Sequence, residues 1–226
     1  MTRTLQQVGL LVAKDLRIEA RTRQTVGLVV VLGVLIVVVL GLGLGTQQPQ
    51  GTGLAATAVL WTAYLFSGVL CFEKTMAVER SDAALAGLMM APVDRSAIFL
   101  AKFLTNLALM ACVATVITFA GVLFFSFDLS AAPGQFVLIM SLGMIGFAAV
   151  GTLFSAMVSS SRLQGGLLAL TIFPLALPLV VASTQLLLRV FRDGEPAGGQ
   201  ALAIIVAFDV IFLTASWVLF EWVLEP

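Results

Sequence analysis

The stretch VGLVVVLGVLIVVVLGLGLG, Val26 to Gly45, decides the fold, because it runs for twenty residues without a charge. A helix needs about 20 apolar residues to cross a hydrocarbon core about 30 Å thick, so this segment reads as a membrane span. Working outward, five more segments have the same character: residues 54–72, 97–125, 135–158, 163–182 and 201–223. All are apolar around their whole circumference, as a helix wedged between lipid and other helices must be. The sequence therefore predicts an all-α polytopic membrane protein, with six transmembrane helices in a single domain over residues 1–226. Composition agrees: 60% of residues are hydrophobic and 11% charged, against about 25% charged in soluble domains. With a mean hydropathy of +1.10, the chain has too little polar surface to clothe a water-soluble globule.

Charge and chemistry narrow the function. Twelve basic and twelve acidic residues balance, which gives no field for nucleic acid. No histidine occurs, so the commonest metal ligand and general base are both missing. Cys71 and Cys112 sit inside apolar runs and read as small buried residues. No phosphate-cradling G-x-x-x-x-G-K-[ST], no H-E-x-x-H and no G-x-S-x-G is present. The expectation is a non-catalytic subunit that holds no metal or cofactor by itself.

Orientation follows from the basic residues. Arg3, Lys14, Arg17, Arg21, Arg23, Lys74, Arg80, Arg95, Lys102 and Arg162 fall on one side of the six spans, and only Arg189 and Arg192 on the other. The positive-inside rule then predicts cytoplasmic termini. Trp217 and Trp222 suit an interfacial belt at the end of the sixth span.

Residues 1–25 read as an interfacial helix, with Leu5, Val8, Val12 and Leu16 on one face and Lys14, Arg17 and Arg21 on the other. Glu19 falls on the apolar side, where an i, i+4 pair with Arg23 would hold it at the surface. Such a helix serves either as a plain topological anchor or as a hinge moved by a cytoplasmic partner. Residues 73–96 form the largest polar island, longer than a bundle connection requires. Within it Ser81 and Asp82 suit a helix start, Leu85, Leu88 and Met89 make a stripe at i, i+3, i+4, and Pro92 stops it. A soluble partner is the expected cover for that stripe.

Pro174 and Pro178 in the fifth span predict a helix broken near the outer face, with residues 183–200 as a re-entrant or interfacial segment. Asp209 is the one acid deep in a span. It has to face the bundle or a wet cavity, with a hydroxyl on a neighbouring helix as the simplest partner. Lys102 and Glu221 lie near a surface and can snorkel. In the fourth span Gly143, Gly151, Ser155 and Ser159 allow close backbone approach, within the bundle or at a homodimer seam.

Several of these stretches resemble one family. Phe72-Glu73-Lys74-Thr75, Val78-Glu79-Arg80, Ala84-Leu85-Ala86-Gly87-Leu88-Met89-Met90-Ala91-Pro92-Val93 and Leu100-Ala101-Lys102 look like the signature of CcmB, the permease family of the cytochrome c maturation system, within the ABC-2 type permeases. Lys14-Asp15-Leu16-Arg17-Ile18-Glu19 resembles that family's leader, and Phe173-Pro174-Leu175-Ala176-Leu177-Pro178 its fifth span. The resemblance implies a multi-pass protein of the bacterial inner membrane. Its implied partners are a cytoplasmic ABC ATPase that binds the ATP, a haem-handling membrane subunit and a periplasmic haem chaperone. ATP hydrolysis would then drive release of the haem-loaded chaperone. Glu73, Glu79, Arg80, Leu85, Leu88, Met89 and Pro92 become the expected ATPase-coupling residues, and Pro174 and Pro178 the outer gate. Two other readings fit the same spans: an ABC-2 exporter permease for a lipid, glycan or drug, and an ATP-independent membrane scaffold or enzyme.

Overall fold

The computed structural model describes residues 2–45, 52–81, 95–125, 129–159 and 166–223. These form seven helices: α1 (Thr2–Thr22), α2 (Gln24–Gly45), α3 (Thr52–Ser81), α4 (Arg95–Phe125), α5 (Pro133–Ser159), α6 (Gly166–Arg192) and α7 (Gly199–Val223), with a short 3-10 turn at Leu129–Ala131. No strand occurs among the described residues, and α2 to α7 are each long and apolar enough to span a membrane. The all-α, six-span expectation holds.

Burial orders the bundle. Helix α5 is the most buried and packs on α3, α4, α6 and α7, whereas α2 and α7 are the most peripheral. The small residues explain why α5 can be central. A Cβ on Gly143 would overlap the Trp61 ring, and one on Gly151 would overlap Phe72. Ser155 is buried on the same helix. The small positions thus receive aromatic side chains of α3, and Gly143 and Gly151 lie within the bundle, not at a seam between copies. Peripheral faces stay apolar: Val31, Leu35 and Val39, spaced i, i+4, i+8, are all more than half exposed. Stripes of that kind suit lipid and would be untenable in water.

Helix α6 corrects the sequence reading. It is continuous from Gly166 to Arg192 with Pro174 and Pro178 inside it, so neither a break nor a re-entrant segment at 183–200 is present. The reason lies in its spacing: Ala182, Ser183, Leu186, Leu187 and Val190 are buried at helical intervals, with Gln185 and Arg189 exposed. Packing of this stripe outweighs the two missing backbone bonds. At about 1.5 Å per residue the helix exceeds the hydrocarbon thickness, so Arg189 and Arg192 emerge at its C-terminus, where the helix dipole favours cations. Gly194 then turns the chain with φ +68°, a left-handed conformation that a Cβ would resist. Cys112 is also corrected: it is exposed on α4, while Cys71 is buried.

Candidate functional site

Helix α1 is not a free surface anchor. Val8 packs on Ala97 and Ala101 at the start of α4, with Leu11, Val12 and Leu100 around them, whereas Leu5 is exposed. The packed face is thus centred on Val8, Val12, Asp15 and Glu19, rotated from the purely apolar face expected. Both acids on it are used. Lys102 Nζ of α4 donates to Asp15 Oδ2 at 2.7 Å, and both side chains are about nine-tenths buried. Lys102 therefore does not snorkel to a surface; it is pinned inside by a charge-assisted bond.

Glu19 has a different task from the one its spacing suggested. Its Oε1 accepts the backbone N–H of Val26 at 2.7 Å, one of the orphan donors in the first turn of α2. The residue at the junction, Arg23, is in the left-handed region with φ 53° and bridges the two helices. Its N–H donates to Glu19 O at 2.7 Å, and its carbonyl accepts Gly27 N–H at 3.1 Å. Glu19 thereby supplies from the preceding helix the cap that the Arg23 side chain cannot. The elbow between α1 and α2 is defined by both backbone and side chain.

These contacts border a half-open cavity of about 40 Å³, lined by Asp15, Ile18, Glu19, Thr25, Thr75, Lys102, Thr105 and Leu109. That volume holds about two or three waters. From its edge a hydrogen-bonded chain crosses the bundle. Thr75 Oγ1 of α3 donates to Asn106 Oδ1 of α4 at 2.8 Å, and Asn106 Nδ2 donates to Thr152 Oγ1 of α5 at 2.9 Å. The result is one polar layer tying α1, α2, α3, α4 and α5 at a single end of the bundle. The end of α7 reaches that same region, where Phe220 and Phe99 have centroids 5.1 Å apart.

The layer flanks the segment singled out from sequence. Glu73, Glu79 and Arg80 lie on the last turns of α3, which continues as helix to Ser81. Leu85, Leu88, Met89 and Pro92 lie outside the described residues. Pro174 and Pro178 are inside α6, and α6 contributes no residue to the hydrogen-bonded chain of this layer. Asp209 on α7 is buried and faces the bundle, with its Oδ1 where a Cβ on Gly146 would fall. That oxygen has no hydrogen-bond partner among the described residues, so the hydroxyl contact expected for it is not made there. Sequence reasoning missed Asp15, Thr75, Asn106 and Thr152. A usable signal existed for Asn106, a primary amide inside an apolar helix and therefore in need of partners.

No group of three or more His, Cys, Asp or Glu residues able to hold a metal occurs among the described residues. Six apolar helices, joined at one end by a polar layer to an amphipathic helix, define a multi-pass α-helical membrane protein. Residues 6–220 match the family of the CcmB protein, and the chain belongs to this CcmB family. The family is a membrane permease, the permease component of the haem exporter for cytochrome c maturation. A comparison with curated proteins gives no match.

Proposed function

We propose that this permease converts ATP hydrolysis by a separate cytoplasmic ABC ATPase into motion of its helices, and that the motion releases a haem-loaded chaperone on the outer side. The carrying observation is the polar layer. Residues 82–94 join the end of α3 to the start of α4, and both helices enter the layer through Thr75, Lys102 and Asn106. A force applied to that connection reaches α1 through Lys102–Asp15 and Val8–Ala97, and α5 through Asn106–Thr152. The basic residues orient this end towards the cytoplasm of the inner membrane, where a nucleotide-hydrolysing subunit would dock on Glu73, Glu79, Arg80, Leu85, Leu88, Met89 and Pro92.

Haem enters the scheme as cargo. Its iron is held by His, Cys, Met or Tyr. The chain lacks His, and its single tyrosine, Tyr64, is buried against Thr118. With no histidine present and Tyr64 and Cys71 both buried, we assign the axial ligands to the partner subunits.

The test is mild-detergent purification from membranes. Wild-type chain should bring down a nucleotide-hydrolysing subunit, and Glu79→Lys or Leu88→Ser should lose it while the chain itself stays in the membrane. Purified alone, the chain should show no stoichiometric haem absorbance. Unchanged capture by both variants would refute the docking assignment.

A further inference from the structure

Three buried polar atoms in the middle of the bundle have no partner among the described residues: Trp61 Nε1 on α3, Ser183 Oγ on α6 and Asp209 Oδ1 on α7. They share one depth. Trp61 is nine residues from Thr52, Ser183 nine from Arg192 and Asp209 ten from Gly199, all counted from the end of the bundle opposite the polar layer. At about 1.5 Å per residue this is roughly half of a 30 Å hydrocarbon core. They also share one neighbouring helix, α5. A Cβ on Gly143 of α5 would overlap the Trp61 ring and crowd Ser183 Oγ, and a Cβ on Gly146, one turn on, would overlap Asp209 Oδ1. The residues that carry a donor, a hydroxyl and a carboxyl oxygen thus lie along one glycine strip, and these three atoms are buried without a side-chain partner among the described residues.

Unpaired polar groups are costly in an apolar interior, and mid-membrane is the worst place for them. They persist where close helix packing holds them, and they favour any alternative packing that admits a partner. Helix α6 has the means to move. Pro174 and Pro178 lack the N–H groups that would bond to the carbonyls of Leu170 and Pro174, which leaves α6 two missing rungs within ten residues of Ser183.

We propose that Trp61, Ser183 and Asp209 form a mid-membrane water site, which opens to water when α6 pivots at Pro174 and Pro178. The ligand class is water because the three groups offer both donors and acceptors, as a buried water needs, with a single acid among them. The inference does not rest on ATP-driven coupling.

The experiment uses the full chain in native membranes, with Cys71→Ala and Cys112→Ala as background and a water-soluble methanethiosulfonate as probe. Asp193→Cys, at an exposed position beyond α6, sets the rate for open access. Ser183→Cys should react to completion about ten- to a thousandfold more slowly, in proportion to a minor open population. Adding Pro174→Ala and Pro178→Ala should slow it by about another tenfold as the straightened helix closes the site. Leu179→Cys, buried and apolar on α6, should stay unreactive. An inert Ser183→Cys, a rate indifferent to the prolines, or equal reaction at Leu179→Cys would each overturn the proposal. If Ser183→Cys does not accumulate, Trp61 alone can report in a Trp217→Phe, Trp222→Phe chain. Quenching of its fluorescence by aqueous acrylamide should fall in the double alanine variant, and quenching that is absent or unaltered is again fatal.

Discussion

Lys102 shows what a single buried charge does in this molecule. Its ammonium lies 2.7 Å from Asp15 with little access to water, so deleting it strands a carboxylate that is left with Lys14 at 3.0 Å. Removing one member of a buried pair costs about 3 kcal/mol or more, whereas removing both is close to neutral. Lys102→Met should therefore lower thermal stability in detergent by about that amount, and Asp15→Asn with Lys102→Met should recover most of it. A double variant whose loss equals the sum of the two single losses would mean that the pair does not interact. Neither residue advertised this role. Lys102 stands near the start of an apolar helix, where a lysine ordinarily reaches for water, and its partner is 87 positions away. Glu19 was equally opaque: spacing offered it Arg23, while the turn of the chain placed Val26 N–H within reach.

Among the elements, α1 and α6 are the two whose meaning changed. The 3.6-residue rhythm of α1 was readable, but which face packs was not, because α4 supplies the complementary Ala97 and Ala101 surface only in three dimensions. Its elbow with α2 yields a direct expectation. Glu19→Ala removes a helix cap worth about 1 kcal/mol, so amide exchange at Val26 should accelerate about fivefold while α5 exchange is unaltered. No change at Val26 would exclude the capping role. For α6 the missed information was present in the chain. Ser183, Leu186, Leu187 and Val190 carry helical spacing past both prolines, and packing along that spacing prevailed over the local rule against proline. The existence of the six spans needed no such subtlety, since length and apolarity alone compel helices in lipid.

For the whole molecule, the distribution of small and large residues sets the architecture. Glycines on α5 accept the bulky residues Trp61 and Phe72, which draws α3 onto the centre and leaves the apolar stripes of α2 and α7 outside. Exposed Val31, Leu35, Val39, Val210 and Ile211 then form the lipid-facing wall. The charge asymmetry predicts that α1, the end of α3 and the end of α7 share the cytoplasmic side. Cysteines placed at Arg17, Lys74 and Trp222, one at a time, should resist a membrane-impermeant thiol reagent in intact cells and react in inverted vesicles. Labelling from outside would reverse the orientation and, with it, the site of ATPase docking.

The tie between Asp15 and Lys102 also constrains biogenesis. Helix α1 is made before α4, yet its buried acid has only the neighbouring Lys14 as counter-charge until the third span has been made and inserted. During synthesis α1 must wait at the bilayer surface in a provisional pose. Its final seat is a late event of maturation, by which a completed subunit differs from a truncated or half-inserted one.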